Sequence, residues 1–339
     1  MHQERIKDSP GGWLIAIVGP TASGKSHLAM ELAQRIDGEI VNCDSMQMVR
    51  GMEIGTAKPD PAMRNRVPHH LYDEVGPDEH YSAGRYMEVA RSICREIAGR
   101  NRIPIVVGGT GLYLRALIDG IFQGPGRDQN LRNRISKIGE RKGFEYLHRI
   151  LRRKDPAAAE RIGPTDPVRI IRALEVYFLT GQKISDLWKQ SQSPLTGFKV
   201  VKVGVRFPRQ ELYDRINRRV ERMFKQGLLD EVHRLLQKGF SPDCKGFEAL
   251  GYRYAVSVVR DEMDLDEAIK LTQRDTRRYA RRQLTWFQRE QGVRWIERPG
   301  DEGAAQEALL DILRAEGFPV GSARRYFLGY RTDKWNSNR

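Results

Sequence analysis

Leu14-Ile15-Ala16-Ile17-Val18-Gly19-Pro20-Thr21-Ala22-Ser23-Gly24-Lys25-Ser26 is the stretch on which the fold turns. Residues 13–18 are an uninterrupted apolar run of strand length, and a helical pattern follows from 25 to about 36. Between them stands the G-x-x-x-x-G-K-S pattern of a P-loop. Its glycines let the backbone curl so that successive N–H groups point inward at phosphate oxygens. Lys25 adds a point charge, Ser26 a hydroxyl able to take a position on Mg²⁺, and the helix N-terminus its partial positive charge. With glycine near 7% of residues, the pattern arises by accident in roughly one chain in a hundred. A P-loop specifies a pyrophosphate-bearing ligand and not a reaction.

Working outward, Asp37-Gly38 turns the chain into a second strand at 39–43 that ends at Asp44. A helix is expected from about 82 to 99, then a strand at 103–107, and Gly108-Gly109-Thr110-Gly111 opens another helix. Strands alternating with helices argue an α/β fold, a P-loop parallel sheet with flanking helices. Residues 12–121 form the first part of that core. Residues 122–197 read as an inserted all-helical domain, basic and almost without strand signals. The core resumes at 198–318, with a strand at 198–207 and helices after Pro208, and 319–339 is a basic, loose tail. The strand at 103–107 ends without a carboxylate, so the usual Mg²⁺-holding acid of a P-loop ATPase is missing there. Asp44 is the acid at a strand end, where open α/β sheets bind ligands. It can hold Mg²⁺, act as a base towards an acceptor, or merely form a turn.

The chain has 339 residues and a net charge of +14, with no apolar run near the roughly 20 residues of a spanning helix. The N-terminus has no apolar h-region, and Cys43, Cys94 and Cys244 are too few and scattered for a disulfide framework or zinc knuckle. A cytoplasmic protein acting as a monomer, without a membrane, is expected. The positive charge favours polyanionic partners, and it is concentrated. Residues 132–154 carry nine basic side chains against two acids, and 274–289 carry six arginines against Asp275. On a helix near 265–290, Arg274, Arg278, Arg281, Arg282 and Arg289 fall on one face. Leu265, Ile269, Thr272, Thr276, Tyr279, Trp286 and Phe287 gather on the other, together with Gln283, which therefore needs a specific partner.

The P-loop, Asp44-Ser45-Met46-Gln47, residues 50–59 (RGMEIGTAKP), residues 104–113 (PIVVGGTGLY), Asp166-Pro167 with residues 169–175 (RIIRALE), Gly251-Tyr252-Arg253 and residues 281–287 (RRQLTWF) together resemble the tRNA dimethylallyltransferase, or isopentenyltransferase, family. Val49, Glu53, Glu248 and Tyr254 depart from its usual residue types. The resemblance implies transfer of a dimethylallyl group from dimethylallyl diphosphate to N6 of adenosine 37, next to the anticodon in tRNAs reading U-initial codons. It implies that Gly19, Pro20, Thr21, Ala22, Ser23, Gly24, Lys25 and Ser26 cradle the diphosphate with Arg215 and Arg219, with Mg²⁺ on the Ser26 hydroxyl. Asp44 and Thr110 take the catalytic roles. Contacts to the anticodon stem-loop fall to Asp44, Ser45, Met46, Gln47, Thr110, Arg132, Val168, Arg169, Ile170, Ile171, Arg172, Gly251, Tyr252, Arg253, Arg278, Arg281, Arg282, Gln283, Thr285 and Trp286.

Other readings compete. A P-loop kinase of a small metabolite fits the early chain and leaves the basic regions without purpose. A prenyltransferase of free adenine nucleotides needs no basic insertion. A non-catalytic RNA-binding protein needs no phosphate cradle. His69, His70 and His80 are expected to sit in loops, outside any catalytic chemistry.

Overall fold

The computed structural model describes residues 12–122, 124–190 and 193–320. The chain divides into two compact units, Ile118–Leu195 and the remainder on either side of it. In the larger unit, β1 (Gly12–Val18), β2 (Gly38–Asn42), β3 (His69–His70), β4 (Ile103–Gly108), β5 (Phe198–Val205) and β6 (Val293–Ile296) form one sheet in the order β3-β2-β4-β1-β5-β6. Every pairing is parallel. Helices cover both faces of such a sheet, so its central strand can be apolar throughout. Leu14 to Val18 are indeed inaccessible to solvent. Ile15 stands opposite Ile105 on one side and Val201 on the other, which carries the ends of β1, β4 and β5 to one edge. Among the described residues no helix is long and apolar enough to cross a membrane.

Two elements differ from the sequence reading. Residues after Pro208 are not helical throughout, because Val293-Arg294-Trp295-Ile296 pairs with β5 as the sheet's edge strand. Four residues with only Ile296 buried carry too little period for a strand signal. His69 and His70 belong to the opposite edge strand and pair with Ile40 and Val41. His70 Nε2 lies 2.6 Å from the buried carboxylate of Glu39, which Arg100 and Arg102 also engage. From residue 321 on, the expected tail lies outside the described residues.

The unit Ile118–Leu195 is helical and has its own core, with Ile135, Leu147, Leu151, Ala158, Ile170 and Leu174 at its centre. Its helix starts are written locally. Asp128, Asp155 and Asp166 accept the amides of Leu131, Ala158 and Arg169, and Pro156 and Pro167 follow two of these caps. An acceptor on an orphan N–H and a proline where no N–H is needed both favour a helix N-terminus.

Candidate active site

The P-loop leaves β1 and enters the helix Lys25–Ile36 through Ala22 at φ 63° and Gly24 at φ 82°. Gly19, Pro20 and Ser23 are buried, and Ser26 is exposed at the first helical turn. The Ser23 hydroxyl has no partner among the described residues. Lys25 Nζ donates to Pro20 O at 3.1 Å. Burial pulls the Lys25 ammonium down to about 8, with the Asp44 carboxylate opposing and Arg219 adding to the shift. A cation so placed gains from a phosphate that restores its lost solvation.

The helix Arg209–Lys225 buries Leu212, Ile216 and Val220 and turns Arg215 and Arg219, four residues apart, towards the loop. Arg219 Nη1 donates to Thr21 Oγ1 at 3.2 Å, and burial lowers the pKa of its guanidinium. Arg215 is held otherwise, with its Nη1 2.8 and 2.9 Å from the two oxygens of Asp301 and its guanidinium over the Phe207 ring. Gly300 N donates to Ser23 O at 2.9 Å, so the segment after β6 lies against the P-loop and brings Asp301 there. Nothing local in the sequence announces Asp301, because its partner is 86 residues away.

Asp44 follows β2, two positions from β1 in the sheet. The fully buried Asn42 takes the Asp44 amide on its Oδ1 at 2.9 Å and donates to Asp44 O at 3.0 Å and Leu71 O at 2.8 Å. Asp44 Oδ1 accepts Met46 N at 3.0 Å, and among the described residues nothing is bonded to Oδ2. Ser45 N donates to Thr110 Oγ1 at 3.0 Å, and Thr110 N to Cys43 O at 3.0 Å, which ties the ends of β2 and β4 together. Asn42 was missed in the sequence because a buried asparagine at a strand end has no motif.

The long helix Leu265–Gln288 docks on this assembly through Gln283, which is 4% exposed. Gln283 Oε1 accepts Thr21 N at 2.8 Å, and Nε2 donates to Gly109 O at 3.0 Å. A Cβ on Gly109 would fall 2.0 Å from Gln283 Nε2, and one on Gly111 would fall 2.1 Å from Trp286 Nε1. The two glycines are therefore the price of close approach between the helix and the turn after β4. Ala268, Thr272, Ala280 and Phe287 are buried on the same side, whereas Leu265 is 41% exposed and not part of the packed face expected for it. Arg274, Arg278, Arg281, Arg282 and Arg289 are all exposed. Arg278, Arg281, Arg282, Thr285, Trp286 and Arg289 line, with Arg115, a cleft of about 600 Å³.

Several expected RNA contacts lie inside the protein. Tyr252 is inaccessible and donates to Glu231 Oε1 at 2.5 Å while accepting Gly55 N at 3.1 Å. Glu231 also accepts Glu53 N and Ile54 N, so Tyr252 fastens the loop 53–55 and offers nothing outward. Gly251 is buried, with φ 92°, and Arg253 is exposed. Ile170 and Ile171 are core residues of the helical unit. Tyr252, Gly251, Ile170, Ile171 and Gln283 thus occupy buried packing positions, and none presents a side chain at the surface. Val168 and Arg169 are exposed. Arg132 and Arg172 both bond to Glu175, at 3.0 and 2.7 Å. Gln47 Nε2 donates to Thr56 O and Ala57 O, each at 3.1 Å.

Among the described residues no group of three His, Cys, Asp or Glu side chains has the arrangement of a metal site. The exposed Ser26 hydroxyl still suits Mg²⁺, which takes few protein ligands beside phosphate oxygens and water.

The sequence model of a family described as IPP transferase matches residues 47–290. A tRNA dimethylallyltransferase of Koribacter versatilis is 45% identical over 301 residues, covering 89% of this chain and 98% of that protein. The tRNA isopentenylpyrophosphate transferase structure from Bacillus halodurans is 37% identical with TM-score 0.65, covering 90% of this chain and 98% of its own. A eukaryotic dimethylallyltransferase described as acting on tRNA is 27% identical with TM-score 0.75, covering 91% and 81% respectively.

Proposed function

The chain belongs to the IPP transferase family and is a tRNA-modifying prenyl transferase, and we propose that it moves a dimethylallyl group from dimethylallyl diphosphate to N6 of adenosine 37 beside the anticodon, in tRNAs reading U-initial codons. The observation that carries this assignment of parts is the pair of hydrogen bonds by which the Gln283 amide accepts from Thr21 N and donates to Gly109 O. One helix thereby grips the phosphate cradle on one side and on the other offers Arg281 and Arg282, which have no carboxylate partner among the described residues. That arrangement serves a reaction between a diphosphate and a nucleic acid.

The target base leaves the loop stack to enter the site. Its exocyclic amine is a poor nucleophile, because the lone pair is delocalised into the purine. Asp44, turned by Asn42, accepts a hydrogen bond from N6–H through its open Oδ2 and takes the proton as the N6–C1 bond forms. Thr110, bonded to Ser45, keeps the acceptor side in register. The C1–O bond breaks, and its electron pair leaves with the diphosphate. Lys25, Arg219 and the P-loop amides of residues 22–26 neutralise the charge that gathers there, with Arg215 alongside. The Ser26 hydroxyl would hold Mg²⁺, which would supply further charge neutralisation to the departing diphosphate. Ser45, Met46, Gln47, Arg253, Arg278, Arg281, Arg282, Thr285 and Trp286, with Val168 and Arg169 of the helical unit, are the RNA contacts, whereas Arg132 and Arg172 are committed to Glu175.

Incubation with tRNA, dimethylallyl diphosphate and Mg²⁺, followed by nucleoside mass analysis, is expected to give N6-dimethylallyladenosine at one position. ATP turnover without prenyl transfer overturns the reading. Asp44→Asn is expected to lower kcat by about 10²- to 10⁴-fold and leave RNA affinity within about twofold. Unchanged turnover removes Asp44 as the base.

A further inference from the structure

The cleft on the exposed side of the helix Leu265–Gln288 has a wall that this helix does not supply. Arg115 comes from the helix Gly111–Asp119, which begins at the turn after β4. Its Cζ lies 4.7 Å from the centroid of the Trp286 ring, and its Nη2 lies 3.3 Å from Glu290 Oε2. Glu290 is not a free acid facing the cleft. Its side chain is 7% exposed, its other oxygen is 2.9 Å from Lys202 Nζ, and although burial pushes its pKa up, Lys202 and Arg115 hold it below the usual range. Arg281, Arg282 and Arg289 have no carboxylate partner among the described residues, and Arg278 shares Asp275 with Arg274 at 3.4 Å. The cleft therefore carries an excess of guanidinium charge drawn from two elements.

We propose that this cleft seats the phosphodiester next to the target adenosine, and that Arg115 is a positioning residue holding that phosphate. The inference rests on the tRNA reading of the site and deepens it. Three observations favour phosphate over base. The lining donors are guanidiniums, which pair with phosphate in a planar fork. The Trp286 face is already covered by Arg115, so that face cannot stack on a base. The volume of about 600 Å³ suits one nucleotide unit and not a duplex. Trp286 also abuts Gly111, the neighbour of Thr110, so a phosphate fixed here holds the strand one step from the reacting base.

The test uses anticodon stem-loop RNAs in which single linkages flanking the target are replaced by uncharged methylphosphonate. With the unmodified protein, one linkage is expected to weaken binding and transfer more than the others. With Arg115→Gln that linkage costs no more than its neighbours, and the slope of log affinity against log salt becomes shallower by about 0.7. Arg115→Lys restores most of the slope. Thermal melting checks that the fold survives. If Arg115→Gln melts early, Arg289→Gln, whose native side chain makes no hydrogen bond or ion pair among the described residues, is expected to give the same linkage effect. Equal linkage costs in the unmodified protein and both variants overturn the seat and leave Arg115 as a cover for Trp286. Linkage coupling in binding without any prenyl transfer leaves the seat standing and overturns the reaction.

Discussion

Residues 132–154 with Arg172 and residues 274–289 look alike as text, two arginine-rich helical stretches with few acids. In space they differ. In the helical unit the matched arginines, Arg132 and Arg172, converge on one oxygen of Glu175, a fully buried carboxylate that also accepts Asp128 N at 2.9 Å. They hold that unit's own helices together. On the helix Leu265–Gln288, Arg281 and Arg282, with Arg289 just past its end, face a cleft with no acid to answer them among the described residues. Charge density in a sequence therefore mixes guanidiniums committed to the fold with guanidiniums whose field is unbalanced. Only the second kind is available to a phosphate.

The strongest attack on this contrast is Glu175→Ala. It leaves two guanidiniums and the Asp128 amide without their shared acceptor, and it is expected to lower the stability of the helical unit by about 3 kcal/mol, read by thermal or urea unfolding. An unchanged melting temperature with reduced RNA affinity breaks the contrast, since Arg132 and Arg172 would then be RNA contacts that the carboxylate merely restrains. Next in size is Gln283→Leu, which leaves Thr21 N and Gly109 O unpaired. The KM for dimethylallyl diphosphate is expected to rise about tenfold, from a penalty of 1–3 kcal/mol for a buried unsatisfied group, with RNA affinity nearly unchanged. The opposite split returns Gln283 to the RNA face. The smallest effects belong to Arg281→Ala and Arg282→Ala. Each is expected to make the salt slope of RNA binding shallower by about 0.7 while stability stays within about 0.5 kcal/mol. A drop in melting temperature without a change in slope makes this face structural as well.

Much of the core was legible because its signals are short. An apolar run, a glycine loop and a helix start lie within residues 13–36, and backbone sterics at that range permit few alternatives. The Asp-Pro starts of the helical unit and the two faces of the helix Leu265–Gln288 are local in the same sense. The four-residue β6 was not, because pairing and not periodicity makes it a strand. Tyr252, Gly251, Ile170, Ile171 and Gln283 stood within matched motifs yet are buried, since a motif marks a position without saying whether it faces solvent or core.

The chain alone determined the parallel sheet around β1, the phosphate cradle and the existence of an arginine face, since each follows from a period or a backbone constraint spanning a few turns. Tertiary structure decided which of those groups meet. Gln283 reaches Thr21 across 262 residues, Asp301 reaches Arg215 across 86, and Glu290 reaches Arg115 across 175. Such pairings are set by how strands order and helices pack, and at those separations a sequence has no period to record them.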